Sequence, residues 1–170
     1  MKKFSTLFIL INLTSIPLYA SILQDSFLSN SVAIQIMLIL SFVVISIGVL
    51  SSGYALSISL SAYAACESKN KKAAFVPAIM PGSQGLYSFV INFMMIQALA
   101  DKPVQVIFAG IVCGLPCLYS AIGQAKTAAA CIKSINNEQM NLGEALIATA
   151  IPELYALTGL AGAFLTLNLA

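Results

Sequence analysis

Six acidic residues occur in this 170-residue chain, and five of them lie in polar stretches or near the ends of apolar ones: Asp25, Glu67, Asp101, Glu138 and Glu144. The sixth, Glu153, sits inside a long apolar run. A carboxylate at membrane depth is costly unless it is paired or put to use, so its default reading is a functional group. Polar side chains gather at the same depth elsewhere, with Ser83 and Gln84 in one apolar segment and Gln124 in another. Any one of these can be explained as hydrogen-bonding glue between helices. Together with Glu153 they offer one anionic oxygen, one hydroxyl and two amide oxygens. Those are hard ligands for an alkali cation or a hydrated proton, and one carboxylate balances one charge; a divalent cation would take more negative ligands. Tyr87, one helical turn beyond Ser83, can reach the carboxylate or can serve as a packing aromatic. Pro81 lacks a backbone donor and leaves the Pro77 carbonyl without its helical partner near the same place. Lys126 supplies the competing account of Glu153, a structural ion pair, although its long stem can also carry it toward Lys133.

Other chemistries find little support. The chain has no histidine, which removes the usual metal ligand and the usual proton shuttle near neutral pH. Cys66, Cys113, Cys117 and Cys131 read as small apolar fillers, because no histidine or nearby carboxylate completes a zinc set. No nucleophile–base pair points to an enzyme, and no organic cofactor is expected. A net charge of +2 and the lack of a basic patch argue against a nucleic-acid partner.

The elements that must position these residues follow from composition. The chain is 59% hydrophobic and 8% charged, against about 25% charged in soluble domains. Such a sequence cannot cover a surface facing water, and a lipid bilayer is its natural solvent. Four apolar segments, near 32–65, 73–99, 104–132 and 142–169, each hold enough residues for a span, which takes about 20. In lipid the backbone must satisfy its own polar groups, so these segments are helices. Short links make successive helices antiparallel neighbours. The expected fold is an all-α membrane protein with four transmembrane helices in two tandem antiparallel hairpins, residues 32–100 and 101–170, with the glutamate in the second. Residues 1–20 combine Lys2 and Lys3 with an apolar run of about 15 residues ending at Leu18-Tyr19-Ala20, which favours a signal peptide over an extra N-terminal helix. A polar external segment, 21–31, follows. Lys69, Lys71, Lys72 and Lys133 place links 66–72 and 133–141 on the cytoplasmic side.

The two hairpins read as a duplication. Pro81 and Pro152 stand 71 residues apart, and Phe93 and Phe164 keep that offset. Gly82 then occupies the place of Glu153, so only the second hairpin carries the acid.

Three stretches in this order, Pro81-Gly82-Ser83-Gln84-Gly85-Leu86-Tyr87, Ile122-Gly123-Gln124-Ala125-Lys126 and Glu153-Leu154-Tyr155-Ala156-Leu157-Thr158-Gly159, resemble the proteolipid (K or c) subunit of V-type ATPases. The likeness runs from about Ile34 to Leu169, and the sodium-type bacterial members are closest. It implies a homo-oligomeric rotor ring in a bacterial plasma membrane. That ring turns against a stator membrane subunit, joins central-stalk subunits, and carries one Na⁺ (or H⁺) per protomer. It also implies a ligand set: Glu153, Gln124, Gln84, Ser83 and the backbone carbonyl of Met80, with Tyr87 locking the carboxylate. Two positions depart from the family's pattern, since Ser83 stands for threonine and Met80 for leucine; neither change removes an oxygen. Pro152 beside the glutamate is less usual and is expected to bend the fourth helix. A non-transporting scaffold or pore-like oligomer is the alternative, and it leaves Glu153 without a role.

Overall fold

The computed structural model describes residues 32–169, and the leader and external segment expected over 1–31 lie outside them. The described residues form helices joined by short links. These are α1 (Val32–Ala64), α2 (Lys71–Ile79), a 3-10 turn (Met80–Gly82), α3 (Ser83–Ala98), α4 (Pro103–Asn136) and α5 (Leu142–Asn168). The path α2–turn–α3 makes one span, so four apolar helical stretches long enough to cross a membrane result. Among the described residues the structure is all-helical, that of a multi-pass membrane protein. At about 1.5 Å per residue α1 and α4 are each about 50 Å long, which exceeds the roughly 30 Å hydrocarbon layer.

Local chemistry sets the boundaries. Pro103 opens α4 in the first turn, where a missing backbone donor costs nothing. Asn141 and Glu144 form a reciprocal capping box at the start of α5, which gives Glu144 a structural task. Lys133 lies in the last turn of α4 rather than in the third link, because the helix continues to Asn136. A cation there faces the negative end of the helix dipole. Likewise Lys71 and Lys72 begin α2 instead of ending the first link.

Four prolines lie inside the spans and behave differently, and Pro77 is carried within α2. Pro116 and Pro152 are carried inside continuous helices. Pro81 coincides with the 3-10 turn. Serines of α1 supply donors there: Ser52 Oγ donates to the Pro81 carbonyl at 2.9 Å and Ser59 Oγ to the Ala78 carbonyl at 2.7 Å. Cross-helix hydroxyls therefore satisfy carbonyls around the break.

Helix α4 is the central element and packs against every other helix, with α1 and α5 its main partners. Small residues let the backbones approach. A Cβ on Gly114 would stand 2.7 Å from the Val44 carbonyl oxygen, and one on Gly110 would stand 2.8 Å from that of Ser41. From α5, Gly159 meets the Val112 carbonyl at 2.9 Å in the same sense. Ile45, Ile91, Met95, Cys113, Cys117 and Ala156 form the main buried cluster. Large apolar side chains such as Leu40, Leu50, Leu154 and Leu165 remain exposed on the outside, as a lipid solvent allows.

The first and third links meet at one end. Asn136 Oδ1 accepts from the Glu67 backbone N–H at 2.8 Å, and Asn70 Nδ2 donates to the Asn136 carbonyl at 3.3 Å. Lys69 pairs with Glu138 at 2.5 Å. That contact holds the Glu138 carboxyl below its ordinary range and raises the Lys69 ammonium. The middle link lies with the C-terminal end of α5, where Lys102 Nζ donates to the Leu169 carbonyl at 2.7 Å.

Candidate functional site

Glu153 lies near the middle of α5, about 17 Å along the helix axis from Leu142, and is half-buried. Its two oxygens have different partners. Tyr87 Oη donates to Oε1 at 2.6 Å, and Gln124 Nε2 donates to Oε2 at 3.3 Å. The same Gln124 nitrogen donates to the Thr149 carbonyl at 2.8 Å. Because both Gln124 targets are acceptors, the amide must present its oxygen to the opposite side. There Gln84 Nε2 donates to Gln124 Oε1 at 2.5 Å. The second Gln84 contact is to Ser120 Oγ at 3.1 Å, and Ser120 passes its own hydrogen to the Pro152 carbonyl at 2.6 Å. Donors thus run in one direction, from Gln84 through Gln124 to the carboxylate.

This leaves one atom outstanding. Gln84 is fully buried, and its Oε1 has no hydrogen-bond partner. Leaving a buried carbonyl unpaired costs about 1–3 kcal/mol. A cation or a hydrated proton beside it would remove that cost. Ser88 Oγ and Asn92 Oδ1, one and two turns further along the same face of α3, are likewise buried without partners.

Ser83 and Met80 form an adjoining pair. Ser83 Oγ donates to the Met80 carbonyl at 3.0 Å, so that carbonyl already carries a hydrogen bond. Met80 Sδ in turn lies 3.1 Å from Thr149 Oγ1, whose hydrogen goes to the Ala145 carbonyl at 2.7 Å. Thr149 therefore joins the Ser83–Met80 pair to Gln124. All six residues singled out from the sequence, Met80, Ser83, Gln84, Tyr87, Gln124 and Glu153, fall within one connected cluster of side chains from the 3-10 turn, α3, α4 and α5. Lys126 is exposed and makes no ion pair with Glu153; the ion pairs among the described residues are those of Lys69 with Glu67 and Glu138.

Two members of the network, Ser120 and Thr149, carry no mark in the sequence that singles them out by type. Each stands four residues before a polar residue that does, Gln124 and Glu153, and so shares its helix face. That spacing is the available signal. The cysteines are free and buried, with the Cys113 and Cys117 sulfurs 3.7 Å apart.

Comparison with known proteins adds a separate line of argument. The family model for the C subunit of ATP synthase matches residues 107–166, which cover most of α4 and α5 and include both Gln124 and Glu153. The V-type sodium ATPase subunit K of Enterococcus hirae is 31% identical over 97 residues, covering 54% of this chain and 62% of that protein. The A-type ATP synthase subunit K of Methanocaldococcus jannaschii is 33% identical over 95 residues, covering 55% and 43%. The chain spans about half the length of the curated relatives it matches. These matches support a proteolipid of the c/K type.

Proposed function

We propose that the chain is a non-catalytic rotor subunit of a rotary ATPase, forming a homo-oligomeric ring that carries one monovalent cation per protomer at Glu153. The observation that carries this reading is the half-buried Glu153 at mid-span, held by Tyr87 and Gln124, with Gln84 joined to Gln124 and its Oε1 buried without a partner. One carboxylate and a free amide oxygen suit a singly charged ion. The half-exposed carboxylate leaves the ion a way in from the outer face. A basic residue on a stator membrane subunit would displace the ion into an access path, and turning of the ring would bring it to the other side. Each charge moved across about 100 mV involves about 2.3 kcal/mol, so several protomers must load and unload for each nucleotide hydrolysed. Central-stalk subunits would transmit the rotation.

Sodium is the favoured ion, because the Gln84 amide oxygen is buried without a partner and one relative is named a sodium ATPase subunit. A proton is the second reading, since a single carboxylate can carry a proton as readily as a metal ion. Modification of Glu153 by a carbodiimide at slightly acid pH separates the two. Sodium protects Glu153 if it is the cargo, and sodium that fails to protect it would falsify the sodium reading while leaving the proton one. Replacing Glu153 with Gln abolishes ion transport by the assembled complex under either ion, whereas a non-transporting scaffold would keep its function.

A further inference from the structure

We propose that Ser120 is a positioning residue that fixes the orientation of the Gln84 amide, and that the site's preference for a metal cation over a proton depends on it. The inference rests on the reading of Glu153 as the ion site. A serine hydroxyl has one hydrogen, and that of Ser120 goes to the Pro152 carbonyl at 2.6 Å. Toward Gln84, at 3.1 Å, Ser120 can therefore only accept. The Gln84 amide must turn its nitrogen to Ser120 and its oxygen away, and that oxygen is the buried atom with no partner.

Gln124 selects the same sense, since its Oε1 accepts from Gln84 Nε2. But Gln124 belongs to the ligand cluster and has its own amide to turn when an ion arrives. Ser120 is fastened to backbone, and its anchor is the residue immediately before Glu153. It is almost fully buried, so water does not compete for its hydroxyl. The hydroxyl thus fixes two things at once, the orientation of the Gln84 amide on α3 and the backbone just before Glu153 on α5. A metal cation needs several oxygens placed together, whereas a proton needs only the carboxylate. Loss of Ser120 accordingly weakens cation binding and leaves protonation alone.

The test uses the full chain in its assembled membrane complex and two readouts of carbodiimide labelling at Glu153. One is the sodium concentration that halves labelling; the other is the pH dependence of labelling without sodium. For Ser120→Ala the half-protecting sodium concentration rises about five- to ten-fold, the size expected for one lost hydrogen bond, and the pH profile stays in place. Ser120→Cys, which keeps the volume but accepts poorly, behaves as Ala does and serves if Ala does not assemble. Ser120→Thr restores the parent value. Unchanged sodium protection in both Ala and Cys variants, or a matching shift of the pH profile, overturns the positioning role. A parent protein that shows no sodium protection overturns the ion reading beneath it, and the two failures are told apart by that control.

Discussion

At the residue scale the carboxylate lock is the feature with the clearest consequence. Tyr87 Oη lies 2.6 Å from Glu153 Oε1, and hydrogen bonds to charged groups contribute about 1.5–3 kcal/mol. Tyr87→Phe removes the bond and keeps the ring, so the carboxylate gains a second resting position. The expected outcome is at least about a ten-fold rise in the sodium concentration needed to protect Glu153, read by the same labelling assay, with ring assembly intact. Glu153, Gln124 and Gln84 are legible in the sequence because long polar side chains are rare in apolar segments. Ser120 and Thr149 are not, for a physical reason. Serine and threonine hydroxyls in membrane helices commonly bond their own backbone three or four residues back. Ser41, Ser51, Ser57 and Ser61 all do so here, and Thr149 bonds the Ala145 carbonyl at 2.7 Å besides touching Met80. Sequence position alone does not distinguish a hydroxyl that serves its own helix from one that crosses to another.

Between elements, the spacing of α4 from its neighbours decides whether the site residues meet at all. Gly114 lies where a Cβ would press on the Val44 backbone at 2.7 Å, and a backbone atom cannot swing aside as a side-chain tip can. Gly114→Ala therefore separates α1 from α4 and lowers stability by about 1–3 kcal/mol. A lower dissociation temperature of the detergent-solubilised protein is the measurement. Gly53→Ala is the matched control, since nothing lies within 4 Å of its would-be Cβ; there the better helix former stabilises by about 0.5–1 kcal/mol. Opposite signs at two helical glycines would tie the effect to packing instead of helix propensity. The number and order of spans are readable from apolar length alone. The break at Pro81 is only half readable. The proline removes a donor wherever it stands, yet Pro116 and Pro152 leave their helices unbroken. Around Pro81 two donors arrive, from Ser52 and Ser59, 29 and 19 residues from the carbonyls they meet, whereas Pro152 receives one, from Ser120. No local pattern encodes a donor at that distance.

On the scale of the whole molecule, the links decide which end faces which compartment. Asn136, Asn70, Lys69 and Glu138 bind the first and third links to each other, so they lie at one end of the bundle by contact as well as by count of spans. Lys71, Lys72 and Lys133 flank that same end, while Lys102 stands beside Asp101 at the other. Four lysines against one is the asymmetry that favours a cytoplasmic position for the first end. The rotor reading puts the soluble stalk at this end, where the 65–70 and 137–141 links lie together. Single cysteines at the exposed positions Ser68, Asn137 and Asp101, introduced after the four buried native cysteines are replaced, test the arrangement with an impermeant thiol reagent. In intact cells Asp101→Cys reacts, whereas Ser68→Cys and Asn137→Cys react only after the membrane is opened. The reverse pattern would place the lysine-rich end and its two linked loops outside, away from a cytoplasmic stalk. It would leave the ion site itself untouched, because the contacts of Glu153 with Tyr87 and Gln124 do not depend on which way the bundle faces.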